Sequence, residues 1–261
     1  MVFRKCTIGG NAYRGNIGLS HDSEGNAGSE AVFVVDIPTP DEGARGDSSD
    51  VSRIQEEPKS KNAPTPAVFE KFTDLALQLD ISEAFRMRNA PSESSTTLIG
   101  FFTVLSLCHS VIAAQDPVTG EVEYRAQSPD EAALVRAAAD MGFKFLGKDK
   151  EILSLKTPGS DNIEKYELLA ILDFTSARKR MSVILRKLNS QDGSLLLLTK
   201  GADNIIFDRL QPGADEMKRE TEKHLSEFAN SGLRTLTLAY KTISGSSHFQ
   251  SFYIFILTFS N

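Results

Sequence analysis

Three apolar runs joined by short polar turns constrain this chain more than any other feature. Tyr166–Asp173 is apolar and continuous, Met181–Arg186 is a second run, and Leu195–Thr199 follows the turn-forming Ser190-Gln191-Asp192-Gly193. Runs this short, bounded by turn residues, read as strands rather than helices. Connections this short make sequential strands antiparallel neighbours, because a parallel pair needs a crossover of a dozen or more residues. Arg234–Lys241 alternates Leu236, Leu238 and Tyr240 against Thr235, Thr237 and Ala239, the pattern of a further, half-buried strand.

Helices surround these strands. Apolar spacing predicts one from about Phe69 to Leu79, with Phe69, Phe72, Leu75, Ala76 and Leu79 on its inner face, and a second, largely buried one over roughly Thr97–Ala113. A third starts at Ser128-Pro129-Asp130-Glu131. There Ser is the expected N-cap, Pro occupies the first helical position, and Glu131 closes a capping box. Its apolar face is Ala132, Leu134, Val135, Ala138 and Met141, and Gly142 stops it. A short helix is expected after Gly201 and a longer one over Ala214–Ser231, with Met217, Leu225 and Phe228 inward and Gly232 as its stop. The fold class is α+β: an antiparallel twisted sheet flanked by helices.

Four regions divide the chain. Residues 1–15 form a glycine-containing lead, and residues 67–243 carry the periodicity of a core. Residues 16–66 are rich in Gly, Ser, Asp, Glu and Pro with one apolar patch at Ala31–Ile37, too little to offset chain entropy, so the expectation there is a disordered acidic insertion. Residues 244–261 are an atypical tail that ends in an apolar Phe252–Leu257 run.

The formal net charge is −6, and the ten acidic and four basic residues between Asp22 and Lys61 account for the acidic excess. The remainder is neutral overall, which argues against nucleic-acid partners, since those require a basic footprint. Two cysteines, Cys6 and Cys108, form neither a disulfide framework nor a zinc site, so no disulfide partner is expected and a reducing compartment is the natural reading. His109 sits in the apolar helix as a buried residue rather than a ligand, and His21, His224 and His248 carry no expected catalytic role. Leu98–Ala114 and Phe249–Phe259 are interrupted or too short to span a bilayer, and no signal peptide opens the chain.

Strand direction gathers three residues. The first strand runs up to Phe174, the second runs down from Arg180, and the third runs up to Lys200. Phe174 and Lys200 therefore share one end of the sheet, two strand spacings or roughly 10 Å apart. That span suits a nucleotide whose base stacks on the aromatic ring while its phosphates approach the ammonium. Gly201 lets a ligand close to the backbone, and Arg234 at the start of another strand supplies a forked phosphate contact. Each residue also has a plainer role: Phe174 as a core residue capping the sheet, Lys200 as a solvated turn residue, Arg234 as a complement to a helix dipole. No GxxxxGK[ST] string is present, so a nucleotide site here is not a P-loop.

At these motifs the chain resembles a known family. Gln127-Ser128-Pro129-Asp130-Glu131-Ala132-Ala133-Leu134-Val135, Phe174-Thr175-Ser176-Ala177-Arg178-Lys179-Arg180-Met181-Ser182-Val183, Leu198-Thr199-Lys200-Gly201-Ala202-Asp203 and Ser231-Gly232-Leu233-Arg234-Thr235-Leu236 are similar to the nucleotide-binding domain of type IV P-type ATPases, the phospholipid flippases. The KGAD-type motif is shared by P-type ATPases broadly, whereas SPDEAALV and SARKRMSV are much more specific to the flippase branch. Residues 1–15 resemble the stretch that follows the family's phosphorylation motif. The resemblance implies that Phe174 stacks on adenine, Lys200 lies beside ring and phosphates, and Arg234 contacts phosphate. It places Glu131 facing the adenine amino group and makes Thr175 a nearby polar contact.

It further implies a cytosolic domain of an integral membrane parent that moves phospholipid between leaflets, driven by ATP. The implied partners are ATP and the parent's phosphorylation, actuator and membrane domains, with Mg²⁺ acting in the full-length parent and no metal ligands in this chain. The reaction needs an Asp in a DKTGT motif as nucleophile, and that string does not occur here. The expectation is therefore an ATP-holding part that does not hydrolyse ATP by itself. The tail beyond Ser244 departs from the family, consistent with an altered gene model. The competing reading is a non-catalytic interaction fragment, or an orphan fragment that binds no ATP.

Overall fold

The structure is a computed structural model that describes residues 2–15, 34–36, 71–87, 90–116, 118, 121–188, 193–230 and 232–243. The described elements are β1 (Val2–Ile8), β2 (Asn11–Tyr13), β3 (Val34–Asp36), α1 (Leu75–Arg86), α2 (Glu93–Leu107), β4 (Ile112–Gln115), β5 (Val122–Arg125), α3 (Pro129–Asp140), β6 (Lys144–Asp149), β7 (Ile152–Lys156), β8 (Ile163–Leu172), β9 (Arg180–Lys187), β10 (Leu195–Gly201), α4 (Asp203–Phe207), α5 (Asp215–Asn230) and β11 (Thr237–Ile243).

Strands β6 to β11 form one six-stranded antiparallel sheet in sequential order, a meander interrupted only by α4 and α5 between β10 and β11. The α+β reading holds. The strands expected over 166–173, 181–186 and 195–199 appear as β8, β9 and β10 in the expected order and sense. Side chains alternate across the sheet. Leu168, Met181, Val183, Leu185 and Leu198 join the main core, while Ile184, Leu195, Leu197 and Ile243 form a small cluster on the opposite face. The main core also takes the buried face of α2, including Phe102, Val104, Leu105 and Leu107, and that of α3. Phe102 stacks on Phe143 with ring centroids 4.8 Å apart.

Two strands of the sheet have no counterpart in the sequence reading. Strands β6 and β7 carry Lys144, Lys148, Asp149 and Lys156 together with a register shift between Phe145 and Gly147, so their alternation is broken. The β4–β5 hairpin is likewise additional and is antiparallel, with Ile112 opposite Arg125.

Several boundaries differ from expectation. The first helix begins at Leu75, because buried Asp74 accepts a hydrogen bond from Leu77 N at 2.9 Å and caps it. Phe72 is buried ahead of that cap: its N–H donates to Asp140 Oδ2 at 3.1 Å and its ring meets Phe3 edge-on. The buried face of α1 is consequently Leu77, Ile81 and Ala84, whereas Leu75 and Leu79 are exposed; Phe69 lies outside the described residues. Helix α2 stops at Leu107, since Val111 N donates to His109 Nδ1 and the chain turns into β4. In α5, Leu225 and Phe228 face inward as expected, but Met217 is exposed and His224 is fully buried. Strand β11 starts at Thr237 rather than Arg234, and Tyr240 lies against α2, its hydroxyl donating to Thr96 O at 3.2 Å.

The lead folds as the β1–β2 hairpin, and a two-residue hairpin turn of type I′ requires positive φ at both of its central positions. Gly9 and Gly10 fill those positions, both in the left-handed region that favours glycine. The hairpin is tied down by Tyr13 Oη donating to Asp80 at 2.6 Å and by Gly15 N donating to Asp74 Oδ2 at 3.0 Å. Of the proposed 16–66 insertion, only Val34–Asp36 are described, as strand β3 paired with β1. The rest of that segment, the 190–192 part of the β9–β10 turn and the 244–261 tail lie outside the described residues. Both cysteines are buried and free. Among the described residues no helix is long and apolar enough to cross a membrane.

Candidate functional site

The register places the site. Leu172 at the end of β8 pairs with Ser182, Ser182 pairs with Thr199, and Lys200 pairs with Met181. Lys200 and the turn that carries Phe174 therefore lie at one end of the sheet with β9 between them.

That turn is closed by its own hydrogen bonds. Lys179 N donates to Thr175 O at 2.7 Å, Arg178 N donates to Thr175 Oγ1 at 3.1 Å, and Arg178 Nη1 donates to Asp173 O at 2.6 Å. Lys179 has a positive φ, an uncommon conformation for a non-glycine residue. Thr175 thus holds the turn together. Phe174 is 61% exposed, which removes the reading of it as a core residue.

Lys200 is buried rather than solvated, and its Nζ stands 2.5 Å from Glu131 Oε1. Glu131 Oε2 accepts from Ser110 N at 3.2 Å and from the Ser110 hydroxyl. The expected capping box is therefore absent: Glu131 is turned into the site, and Ser128 makes no side-chain cap bond. Burial by itself raises the Glu131 carboxyl, but the Lys200 charge and the hydrogen bonds from Lys200 and Ser110 outweigh it and hold the carboxyl below its ordinary value.

Gly201 also differs from expectation, since the group close to it is protein. A Cβ there would meet Lys179 O at 2.5 Å and Arg180 Cβ at 2.6 Å. Glycine is needed where β10 passes the start of β9, irrespective of any ligand. Arg234 does not open β11; its Nη1 binds Asp130 Oδ2 at 2.8 Å. Asp130 and Glu131 both belong to the first turn of α3, so Arg234, Glu131 and Lys200 gather there. Phe174 and Thr175 stay on the neighbouring turn, and among the described residues no hydrogen bond joins them to those three.

Buried Cys108 and half-buried His109 border the pair. Cys108 Sγ donates weakly to Met181 O and Leu198 O at 3.8 and 3.7 Å, and burial pushes the thiol up to about 12, so it remains protonated. His109 accepts from Val111 N at Nδ1, which leaves Nε2 to donate to Ser106 O at 2.8 Å. Burial lowers it to about 4, so the ring is neutral and has its partners, but it is half-buried and lies just past the end of α2 rather than within the helix.

Beside them is a cavity of about 480 Å³ lined by residues that include Leu107, His109, Ser110, Lys148, Ile171 and Val183. None of the five sequence-predicted residues lines it, and Ser110 connects it to Glu131. Sequence reasoning misses Ser110 because its importance comes from a tertiary contact with a helix 21 positions away. Among the described residues no group of three or more His, Cys, Asp or Glu side chains is placed to hold a metal ion.

A family model for the P-type ATPase cytoplasmic domain N matches residues 97–255. A probable phospholipid-transporting ATPase 11 of Arabidopsis thaliana is 36% identical over 254 residues, 96% of this chain and 19% of the relative. Phospholipid-transporting ATPase ID of Mus musculus is 36% identical over 246 residues, 93% of this chain and 17% of the relative. The human protein of that name is 47% identical over 143 residues, 55% of this chain and 11% of the relative. The chain spans about a fifth or less of the length of these relatives.

Proposed function

We propose a function from one premise: this chain belongs to the P-type ATPase family, of which it carries the cytoplasmic domain N. Its role is to bind ATP and present it to a phosphorylatable Asp of the parent enzyme. The relatives named as phospholipid-transporting ATPases extend the reading to a parent that drives phospholipid between leaflets, with Mg²⁺ in the complete enzyme. The remaining phosphorylation, actuator and membrane parts of that parent are then this domain's partners.

The observation that carries the reading is the Lys200–Glu131 pair at the same end of the sheet as an exposed Phe174 ring. The residues fit the chemistry of ATP. Phe174 offers a flat apolar face that desolvates a purine. Ionised Glu131 has about four acceptor positions and uses three, on Ser110 N, Ser110 Oγ and Lys200 Nζ, which leaves one for an exocyclic amine. The Lys200 ammonium has three donors, of which Glu131 engages one. Arg234 meets Asp130 through Nη1 and is largely exposed, and a guanidinium carries further N–H donors that a phosphate can engage. ATP supplies the γ-phosphoryl group; these residues bind and orient it.

One stacked base and one or two charges supply a dissociation constant on the order of 0.1–1 mM. Titration of the chain with ATP, followed by the Phe174 and Lys200 amide resonances, is expected to show saturable shifts in that range. Phe174→Ala is expected to weaken binding about tenfold, as loss of a stacked base does. Absence of shifts at about 10 mM ATP, well above the expected constant, overturns the reading.

A further inference from the structure

The six-stranded sheet presents apolar side chains on both faces. Along β10, Leu196 and Leu198 belong to the main core with α2 and α3, whereas Leu195 and Leu197 point the other way. Their partners follow: Ile184 of β9 pairs with Leu197, and Ile243 of β11 pairs with Leu195. These four side chains form the second apolar cluster. It lies at the end of the sheet remote from Lys200, because Leu195 opens β10 and Ile243 closes β11.

This cluster is buried. Ile184 and Leu195 are each 1% exposed, and Leu197 and Ile243 are 4% and 8% exposed. A sheet does not cover its own face; a second layer has to lie on it. Among the described residues, the hydrophobic side chains packed against the cluster are Leu169 and Ala170, both from β8 of the same sheet, and no helix contributes one.

Residues 244–261, which lie outside the described residues, have the composition and the attachment point that such a layer requires. They follow Ile243 directly, so the chain leaves β11 from within the cluster. They contain no Asp, Glu, Lys or Arg, and they carry the apolar run Phe252–Leu257. The intervening Ser244–Ser251 opens with Ser244-Gly245-Ser246-Ser247, residues that favour reversal of the chain. At ~3.3 Å per residue that linker reaches roughly 25 Å, ample for two strand spacings of about 10 Å.

We infer that the Phe252–Leu257 run docks on Ile184, Leu195, Leu197 and Ile243 and is the second layer of the sheet at the end opposite the Lys200–Glu131 pair. A tether this short gives the run an effective concentration in the millimolar range, which favours the chain's own segment over that of a second copy. The apolar patch Ala31–Ile37 is committed elsewhere, since Val34–Asp36 pair with β1. An uncharged run of aromatic and β-branched residues without Pro pairs readily with other chains when exposed, and docking on its own sheet removes that hazard.

The test is an NMR measurement on the full chain with labelled Ile and Leu methyl groups. Nuclear Overhauser contacts are expected between the methyls of Ile184, Leu195, Leu197 and Ile243 and the ring protons of Phe252, Tyr253 or Phe255. The double variant Phe255→Ser/Ile256→Ser is expected to shift those methyl resonances and leave the Phe174 and Lys200 amides in place. A mixture of labelled and unlabelled chains identifies the molecule that supplies the rings. Contacts seen only between molecules overturn the inference in favour of a second copy, and contacts to residues 16–66 overturn it in favour of that segment. Methyls without any contact to the tail, and unmoved in the double variant, overturn it outright. The ATP titration reads Phe174 and Lys200 at the other end of the sheet, so either reading can fail without the other.

Discussion

Lys200 Nζ and Glu131 Oε1 meet at 2.5 Å although 69 positions separate them, which fastens the end of β10 to the first turn of α3. Both side chains are largely buried, at 10% and 15% exposure. Removing one member leaves the other as an uncompensated buried charge, and such losses cost about 3–5 kcal/mol. Glu131→Gln is expected to lower the urea midpoint at neutral pH by a corresponding amount. The double variant Glu131→Gln/Lys200→Met should recover most of it, because no charge is then stranded. An unchanged midpoint in the single variant would show that the pair does not form in solution.

The same pair sets a pH dependence. The folded-state carboxyl of Glu131 lies below its ordinary value of 4.5, so its contribution to stability is fully present above that value and is lost as pH falls through the folded one. Asp140 acts in the opposite sense: burial raises its carboxyl above 3.8, so protonation favours the folded form. Urea midpoints measured downward from about pH 6, where carboxylates begin to titrate, should fall less steeply below 4.5 in Glu131→Gln than in the parent. A steeper fall in the variant would contradict the assignment.

Glycine substitutions separate backbone from side-chain crowding. At Gly201 a methyl group meets Lys179 O, Arg180 Cβ and Arg180 Cα, none of which can swing aside. Gly201→Ala is expected to cost about 2–3 kcal/mol, within the range for overpacking. At Gly100 the methyl group lands in the Tyr240 ring, a side chain 36% exposed and able to move. Gly100→Ala should cost less, and in a Tyr240→Ala background it should stabilise by about 0.5–1 kcal/mol through helix propensity. Thermal melts of the four proteins test this order.

Asp74 and Ser128 both stand at helix N-caps and should respond differently to substitution. Asp74 accepts from Leu77 N at 2.9 Å and from Gly15 N at 3.0 Å. Losing a cap that also satisfies a second backbone donor places the cost of Asp74→Ala at about 2 kcal/mol. Ser128 makes no side-chain cap bond. Ser128→Ala should therefore stay within about 0.5 kcal/mol, as substitutions away from such features do. Urea denaturation that ranked the two in reverse would exchange their roles.

The contrast between the caps shows where sequence reasoning succeeds and fails. The β8–β10 meander is legible because apolar runs and short turns are local properties, and register then brings Phe174 and Lys200 to one end without further information. The role of Glu131 is not legible in this way. Ser128, Pro129 and Glu131 satisfy a local capping motif, but a buried ammonium distant in sequence attracts the carboxylate more strongly than a backbone N–H does. The start of α1 follows the same logic: Phe72 has helical spacing, yet its partners are Phe3 and Asp140, from β1 and α3. Strands β6 and β7 are obscured by charged residues and a bulge at Gly147.

The hydrogen bond from Gly15 to Asp74 has a consequence for how this domain tolerates change. Gly15, where the lead ends, and Asp74, which caps α1, are thereby held together although 59 positions separate them. Closing a flexible loop costs only about 0.6 kcal/mol for each doubling of its length. A change in the number of residues between these two positions is therefore cheap in closure entropy, provided that the pairing of Val34–Asp36 with β1 is kept.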